Sequence, residues 1–169
     1  MLKLGNISLD VPFYQAPLSG YTDRAMRVLA HKYGAPLTYT GVILAKIALH
    51  KKAFNRLYFQ PRTDEGLVGA QILGEDPETM AKAAGAFSNV GFDLIDLNFA
   101  CPAPKVLRRY SGGYLLKDPE TAIKIIRFVR DSVSCPVTIK LRAGFDKSQE
   151  SMGKFWQICQ GAIAEGIDA

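Results

Sequence analysis

The hydrophobic and polar positions of this chain alternate between two spacings, one typical of strands and one typical of helices. Short apolar runs predict strands at residues 12–16, 36–40, 67–73, 93–98 and 136–141. Elsewhere apolar residues recur three and four positions apart, as Ala122, Ile125, Ile126 and Val129 do. This spacing predicts helices at residues 22–33, 42–52, 77–89, 119–132 and 151–165. Strands and helices therefore alternate along the chain.

Two of the predicted helices begin with the same tripeptide, Asp-Pro-Glu, at Asp76 and at Asp118. An aspartate can accept hydrogen bonds from the first free backbone N–H groups of a helix, and proline suits the first helical position. The glutamate then lies in the first turn, at the positive end of the helix dipole. Both aspartates are therefore predicted to be N-caps.

The alternation of strands and helices predicts an α/β fold in which helices cover a parallel sheet. A complete TIM, or (β/α)8, barrel needs roughly 250 residues, whereas this chain has 169. We therefore expect about the first five βα units of such a barrel, forming one partial catalytic domain over residues 1–169. An open doubly wound sheet is the alternative, although the chain has no GxGxxG phosphate-binding fingerprint.

The last residues of the chain, 166–169, look like the start of a sixth strand. A parallel sheet that stops at this point has uncovered strand edges. We therefore expect the chain to be truncated, or to be completed by something outside this sequence. The open edges are expected to favour self-association.

The loop after the predicted strand 93–98 is the first candidate site for chemistry. Asn98 ends the strand, and Cys101 follows it immediately before Pro102, in a loop rich in cations. In parallel α/β proteins the loops at the carboxyl ends of the strands carry the chemistry. A thiol in such a loop can act as a proton donor or a nucleophile. The structural alternative is that Cys101 only fills space.

The composition narrows the class of protein. The chain has no run of about 18 apolar residues, so we expect no membrane span. Its start lacks the apolar segment of a secretory signal. Three cysteines without CxxC spacing predict neither a disulfide framework nor a metal site, and favour a reducing, cytoplasmic location. The formal net charge of +5 is compatible with a polyanionic partner but does not require one.

Four motifs, in order along the chain, resemble those of a known family. The first two are Ala-Pro-Leu-Ser-Gly-Tyr-Thr-Asp at residues 16–23 and Gly-Ala-Gln-Ile at residues 69–72. The third is Asn-Phe-Ala-Cys-Pro-Ala-Pro-Lys-Val at residues 98–106, followed by Gly-Gly-Tyr-Leu-Leu at residues 112–116. The fourth is Val-Thr-Ile-Lys-Leu-Arg-Ala-Gly at residues 137–144. With all four, the chain resembles the tRNA-dihydrouridine synthases, FMN-dependent reductases built on a TIM barrel.

The resemblance implies that FMN is the cofactor and that NADPH is its reductant. It also implies that main-chain groups of Pro17, Leu18 and Ser19 contact one edge of the isoalloxazine ring. A proline fixes its own backbone angle and lacks an N–H, so Pro17 would give this edge a rigid support.

Two polar residues in apolar strands are also implied to bind FMN. Gln71 would pair with the pyrimidine edge of the ring through both a donor and an acceptor. Lys140, whose ammonium would be costly to bury without a partner, would stabilise the negative charge of reduced FMN. From the residues alone, Gln71 could instead bind a neighbouring loop, and Lys140 could pair with a carboxylate such as that of Asp96.

The reaction implied by the resemblance is the reduction of a uracil base in tRNA. FMN would pass a hydride from its N5 to C6 of the base, and Cys101 would deliver a proton to C5 as general acid. Asn98 would hold the uracil edge, and Arg142 would lie close to the substrate or the flavin. The base must leave the folded tRNA to reach the flavin. Cations after the cysteine suit contacts with the tRNA phosphates: Lys105, Arg108 and Arg109.

Some features of the family's pattern are missing. Ala100 and Tyr110 stand where the family often has glycine, and nothing here matches its later strands, FMN phosphate loops or helical tRNA-binding domain. We therefore expect the chain alone to be inactive and to bind FMN weakly at best. Two alternatives stay open. One is a dihydroorotate- or dihydropyrimidine-dehydrogenase-like FMN oxidoreductase, and the other is an inactive RNA-binding fragment.

Overall fold

The computed structural model describes residues 1–50, 52–55, 60–61 and 63–169. The strands are β1 (Leu2–Leu4), β2 (Ile7–Leu9), β3 (Leu37–Tyr39), β4 (Ile43–Leu44), β5 (Leu67–Leu73), β6 (Leu94–Asn98) and β7 (Val137–Lys140). The α-helices are α1 (Arg24–Lys32), α2 (Ala45–Ala48), α3 (Pro77–Asn89), α4 (Pro104–Leu107), α5 (Pro119–Ser132) and α6 (Gln149–Ala164). Further segments form 3₁₀ helices: Ala53–Asn55, Thr63–Glu65 and Gly112–Lys117.

Strands β3, β5, β6 and β7 form a parallel sheet in that order, and β4 pairs with β5 beyond the end of β3. The fold is therefore α/β with a parallel sheet, as predicted, and this open sheet is what part of a TIM barrel provides. After α6 the chain returns beside β7. The Asp168 N–H donates to the Val137 carbonyl at 2.9 Å, and the Ile139 N–H donates to the Ala169 carbonyl at 2.9 Å. These two bonds are the pairing expected at the start of another parallel strand.

One face of the sheet is covered by helices and forms the main core. Alternate residues of β5 and β6 point to this face, among them Ala70, Ile72, Ile95 and Leu97. Burial of each large aliphatic side chain contributes about 1.5–3 kcal/mol. These four strand residues belong to one cluster with residues of α3 and α5: Met80, Ala83, Ala84, Phe87, Ala122, Ile125, Ile126 and Val129.

The opposite face of the sheet is apolar only near the amino ends of the strands. An antiparallel hairpin of β1 and β2 covers this part. The cluster comprises Leu4, Ile7, Leu9, Leu37, Tyr39 and Leu94. The hairpin is absent from the predicted elements, although apolar residues alternate with polar ones on both sides of Gly5-Asn6, a turn-forming pair.

A glycine lets a large aromatic ring fit into this lower layer. Tyr39, Gly69 and Leu94 are neighbours in register across β3, β5 and β6. A Cβ atom on Gly69 would lie 2.6 Å from the Tyr39 ring. The missing side chain on β5 therefore makes room for the tyrosine of the adjacent strand.

Two predicted elements are wrong. Residues 12–16 are not a strand: Gln15 donates one backbone hydrogen bond to Leu37 at 3.0 Å, and Pro12 and Pro17 have no N–H with which to extend a ladder. The helix predicted at residues 42–52 is only α2, because Ile43 and Leu44 pair with β5. Lys51 of that prediction lies outside the described residues.

The other helices and strands were located to within a few residues. The predicted N-caps are confirmed, since Asp76 accepts from the Thr79 N–H at 2.8 Å and Asp118 from the Thr121 N–H at 3.1 Å. The loop predicted after Cys101 contains α4 and the 3₁₀ helix Gly112–Lys117.

A buried ion pair attaches α1 to the chain before β5. Arg27 Nε donates to Glu65 Oε2 at 2.6 Å, and both side chains are fully buried. The same guanidinium donates from Nη1 to the Thr22 carbonyl at 3.3 Å. The pair therefore also holds the loop that precedes α1.

We predict that Arg27→Met destabilises the fold because it leaves the buried Glu65 carboxylate without this partner. Removing one member of a buried pair costs about 3–5 kcal/mol. Urea unfolding measures the loss. The control is Lys82→Met, which removes an exposed pair with Glu78 and should change the free energy of unfolding by less than about 1 kcal/mol. Equal effects of the two substitutions would contradict the prediction.

Candidate active site

The carboxyl end of the sheet carries a row of polar side chains on the face opposite the helices. Gln71 on β5 is in register with Asp96 on β6, and Asp96 is in register with Thr138 on β7. All three residues are buried. Residues in register on neighbouring strands point to the same face, so the fold itself aligns these side chains.

Hydrogen bonds join this row to Asn98. Gln71 Nε2 donates to Asp96 Oδ2 at 2.6 Å, and Thr138 Oγ1 donates to Asp96 Oδ1 at 2.5 Å. Asn98 Nδ2 donates to Gln71 Oε1 at 2.8 Å. An ionised carboxylate can only accept. Asp96 therefore fixes the orientation of the Gln71 amide, which in turn fixes that of Asn98.

The other side of Asn98 holds the loop that contains the cysteine. Asn98 Oδ1 accepts from the N–H groups of Ala100 at 3.2 Å and Cys101 at 3.0 Å. From the opposite side, the Gly113 N–H donates to the Cys101 carbonyl at 2.9 Å. A Cβ on Gly112 would lie 3.1 Å from Cys101 Cβ. The Gly-Gly pair is therefore needed for the loop to close on the cysteine.

Burial raises the pKa of the Asp96 carboxyl to about 6. The hydrogen bonds from Thr138 and Gln71 and the charge of Lys140 act in the opposite direction and limit the rise. Burial also raises the pKa of the Tyr39 hydroxyl, and the nearby Asp96 charge adds to this effect. Strongly perturbed carboxyl groups are common at functional sites. At neutral pH Asp96 is therefore a buried anion next to a neutral phenol.

The amide of Gln71 keeps unused hydrogen-bonding capacity, although its side chain is fully buried. An amide has two N–H donors and an oxygen with two lone pairs. One donor is used by Asp96 and one lone pair by Asn98. One donor and one lone pair remain, and these are the two kinds of group that the edge of a flavin or a pyrimidine requires. The cofactor role of Gln71 therefore stays a prediction from the sequence.

A cleft of about 710 Å³ lies beside this network, and three predicted site residues line it: Ser19, Cys101 and Lys105. Its size is in the range of small-molecule sites. Cys101 is half-buried and Lys105 is exposed. Aliphatic side chains provide most of the remaining wall: Val42, Ile43, Leu44, Ile47, Leu73 and Val106. Since Cys101 lines the cleft and is bound to Asn98, the cleft and the polar network are neighbours.

The loop of Pro17, Leu18 and Ser19 offers fewer backbone groups than predicted. The Leu18 N–H donates to Thr22 Oγ1 at 3.1 Å, and its carbonyl accepts from the N–H groups of Tyr21 and Thr22. Among the described residues, the Pro17 carbonyl and the Ser19 N–H have no hydrogen-bond partner. The Ser19 carbonyl has no partner among the described residues either, so three backbone groups of this loop remain for a ligand.

Two predicted cations, Lys140 and Arg142, do not line the cleft. Lys140 is in register with Asn98, so it lies on the correct face, but its side chain is exposed rather than buried as expected. The residue ends β7, where its long side chain can reach solvent. Arg142 is exposed and lines a separate hollow with residues 143–147. The structure does not bring Arg142 to the cleft.

Sequence reasoning missed the central roles of Asp96 and Thr138. A signal was present, because polar residues occupy every second position at the ends of two apolar strands: Asp96 and Asn98 on β6, Thr138 and Lys140 on β7. The structure explains one of the two departures from the family pattern. Ala100 does not have a positive φ, whereas Tyr110 has a φ of 55°, which glycine adopts easily.

The part of the chain that the structure describes contains no group of three or more His, Cys, Asp or Glu side chains placed to hold a metal ion. It also contains no helix long and apolar enough to cross a membrane.

The chain is similar to one family over nearly its whole length. The model of the dihydrouridine synthase (Dus) family matches residues 14–169. The probable tRNA-dihydrouridine synthase of Rickettsia conorii is 34% identical over 169 residues, which cover 99% of this chain and 51% of that protein. The tRNA-dihydrouridine synthase B of Vibrio cholerae is 33% identical over 159 residues, covering 94% and 49%. The chain thus spans about half the length of these curated relatives.

A solved structure supports the fold. Histamine dehydrogenase from Rhizobium sp. 4-9 superposes with a TM-score of 0.57, over 83% of this chain and 33% of its own. The sequences are 15% identical, so the likeness concerns the fold alone. It agrees with an α/β chain that forms part of a larger TIM-type barrel.

We predict that Asp96→Asn removes a pH dependence of stability. The pKa of Asp96 is raised in the folded state from an ordinary 3.8 to about 6, so ionisation between these values costs the folded state about 3 kcal/mol. The contribution of Asp96 to the free energy of unfolding of the wild type therefore falls by most of this amount as pH rises from 4 to 7. The asparagine variant lacks this fall.

Urea unfolding of both proteins at pH 4 and pH 7 measures the difference. Asp10→Asn, which removes an exposed carboxyl group, is the matched control and should retain the dependence of the wild type. If Asp96→Asn shows the same fall in stability as the wild type, Asp96 is not held in a buried network.

Proposed function

The chain belongs to the dihydrouridine synthase family, and from this membership we propose that it forms part of the catalytic barrel of a tRNA-dihydrouridine synthase. This enzyme is a flavin-dependent oxidoreductase that reduces the C5–C6 double bond of uridine in tRNA. The observation that carries the proposal is the position of Cys101, which lines a cleft and is bound through Asn98 to Gln71. Because the chain spans about half of its relatives, we assign the activity to the full-length product of its gene.

FMN is the proposed cofactor. Four features support it: the cleft with mainly aliphatic walls, the donor and acceptor left on Gln71, the unpaired Pro17 carbonyl and Ser19 N–H, and the exposed ammonium of Lys140 on the same face. Bound FMN would supply the hydride for C6 of uracil, with NADPH as its reductant. Lys140 would then provide the positive charge that reduced flavin requires. We propose Leu18 only for contact through its half-exposed side chain.

Cys101 is the proposed proton donor to C5 of the base. Its backbone is fixed from two sides, by Asn98 and by Gly113. A general acid acts efficiently only when it is held within hydrogen-bond reach of the reacting atom. Asn98 retains one free N–H after binding Gln71, which can hold a carbonyl of the uracil. The two residues would therefore orient the base and deliver the proton.

tRNA is the proposed substrate, and the enzyme would act in the cytoplasm. The net charge of +5 favours a polyanion, and Lys105 is an exposed cation at the cleft. A base that reacts inside such a cleft must first leave its stack. Contacts of Lys105 with phosphate would hold the backbone while the base enters. Arg142 would bind the backbone further away, since it lies outside the cleft.

Mass spectrometry of tRNA tests the proposal. The full-length gene is expressed in cells that lack their own dihydrouridine synthases, and dihydrouridine in digested tRNA is quantified. We expect dihydrouridine to appear only when the gene is present. A purified protein that oxidises dihydroorotate and leaves tRNA unchanged would favour the free-pyrimidine alternative, and a colourless protein that binds tRNA without modifying it would favour the inactive fragment.

We predict that Cys101→Ala in the full-length protein keeps FMN but loses turnover by about 10²–10⁴-fold, the typical effect of removing a general acid. FMN retention is read from the visible absorbance, and turnover from dihydrouridine formed per minute. Cys159→Ala, on α6, is the control and should behave as the wild type. Unchanged turnover in Cys101→Ala would remove this thiol from the mechanism.

Lys140→Ala is expected to weaken FMN binding about tenfold, because one charge-assisted hydrogen bond is worth about 1.5 kcal/mol at an exposed site. Fluorescence titration with FMN measures the dissociation constant. Lys147→Ala removes another exposed lysine and should leave it unchanged. The same dissociation constant in both variants would mean that Lys140 has no contact with the cofactor.

A further inference from the structure

A second cleft, of about 510 Å³, lies next to the cleft of Cys101. Leu44, Leu73, Arg109 and Ser111 line both. The two clefts are therefore contiguous, and Arg109 lies where they meet. Nothing in the proposed reaction uses the second cleft, because Cys101 and Lys105 line only the first.

Tyr110, on the wall of the second cleft, has an unusual backbone conformation. Its φ is 55°, and among the residues that the structure describes it is the only non-glycine residue with a positive φ. This left-handed conformation costs a residue with a Cβ roughly 1–2 kcal/mol. Burial does not offset the cost, since 62% of the residue is exposed. Strain of this kind persists most often at functional sites.

The Tyr110 ring is available for stacking. Its aromatic neighbour is Tyr114, with ring centroids 5.0 Å apart and planes at 83°. This edge-to-face contact holds the ring in one orientation. The exposure of Tyr110 and its position at the cleft leave ring surface for another flat group.

The charges of the second cleft also suit a nucleotide. Its acidic groups are engaged: Glu75 Oε1 accepts from Lys46 Nζ at 2.5 Å, and Asp76 caps α3 through Thr79. Arg108 and Arg109 are exposed and have no ion-pair partner among the described residues. Among the described residues that line the second cleft, the charged groups without an ion-pair partner are therefore the guanidinium groups of Arg108 and Arg109. Both lie beside the aromatic ring of Tyr110.

We propose that the second cleft binds the RNA nucleotide adjacent to the one held at Cys101. Its base stacks on Tyr110, and Arg109, between the two clefts, binds the phosphate that links the two nucleotides. Aromatic rings beside cations are how proteins bind single-stranded RNA without reading its sequence. This subsite rests on the proposed function, because the reaction requires a uridine that is displaced from the folded RNA.

Binding of a fluorescein-labelled uridine trinucleotide to the full-length protein, followed by anisotropy, tests the subsite. Tyr110→Gly removes the ring and relieves the left-handed strain, so the variant should fold at least as well as the wild type. We expect it to bind the trinucleotide about tenfold more weakly, as loss of one stacked base implies. Tyr110→Phe keeps the ring and should bind within about twofold of the wild type.

Two further variants sharpen the test. Tyr33→Ala removes an equally aromatic and 79% exposed residue at the end of α1 and should bind as the wild type. A plot of log affinity against log salt has a negative slope. For Arg109→Gln this slope should be shallower than that of the wild type by about 0.7, as expected for the loss of one phosphate contact to a single strand. Wild-type affinity in Tyr110→Gly, or a tenfold loss in Tyr110→Phe, would overturn stacking at this position.

The subsite and the synthase proposal can fail separately. Dihydrouridine formation in tRNA is measured on the same protein preparations. If the wild type forms dihydrouridine and Tyr110→Gly binds the trinucleotide normally, the subsite is wrong and the synthase stands. If binding depends on Tyr110 but no dihydrouridine forms, the subsite stands and the synthase is wrong.

Discussion

The buried carboxylate of Asp96 is the constraint on which the candidate site depends. As an anion it accepts hydrogen bonds only, so the Gln71 amide and the Thr138 hydroxyl must both donate to it. Gln71 then presents its oxygen to Asn98, and the oxygen of Asn98 is left for the backbone of Cys101. One group therefore sets the direction of each hydrogen bond in the side-chain series from Thr138 to the backbone of Cys101. Its cost to the fold at neutral pH is a reason to regard the network as functional, since a buried charge without a full counter-charge lowers stability.

The polar row of Gln71, Asp96 and Thr138 is distinct from an apolar row nearer the amino ends of the strands. On the same face of the sheet, the row of Tyr39, Gly69 and Leu94 lies one step nearer the amino ends and is covered by the hairpin of β1 and β2. Residues of α3 and α5 pack against the other face. Side chains on alternate strand positions therefore serve two purposes, core packing on one face and a mixture of packing and chemistry on the other. The cysteine loop closes this arrangement because Gly112 and Gly113 allow its backbone to approach Cys101.

Local signals in the sequence were sufficient to predict much of this fold. Asp76 and Asp118 begin helices through contacts within a few residues, and the apolar runs of β5 and β6 are long enough to define buried strands. The motif around Cys101 led to a loop that lines a cleft in the structure. Local signals do not predict strand register, because register depends on pairing between distant segments. The contact of Gln71 with Asp96 and the exposure of Lys140 follow from register and strand length, which the sequence pattern does not specify. The strand predicted at residues 12–16 is wrong for a similar reason. The segment contains apolar residues, but its backbone lacks the hydrogen-bond partners that a strand needs.

The most direct test of this account is the titration of the Asp96 carboxyl carbon by NMR in uniformly ¹³C-labelled protein. The account predicts that this carbon titrates with an apparent pKa of about 6, because burial outweighs the donors that face it. It also predicts that Gln71→Ala raises this pKa further, since one of the two hydrogen bonds to the anion is lost. A pKa close to the ordinary aspartate value of about 3.9, unchanged in Gln71→Ala, would show that the carboxylate is solvated and that the network does not exist.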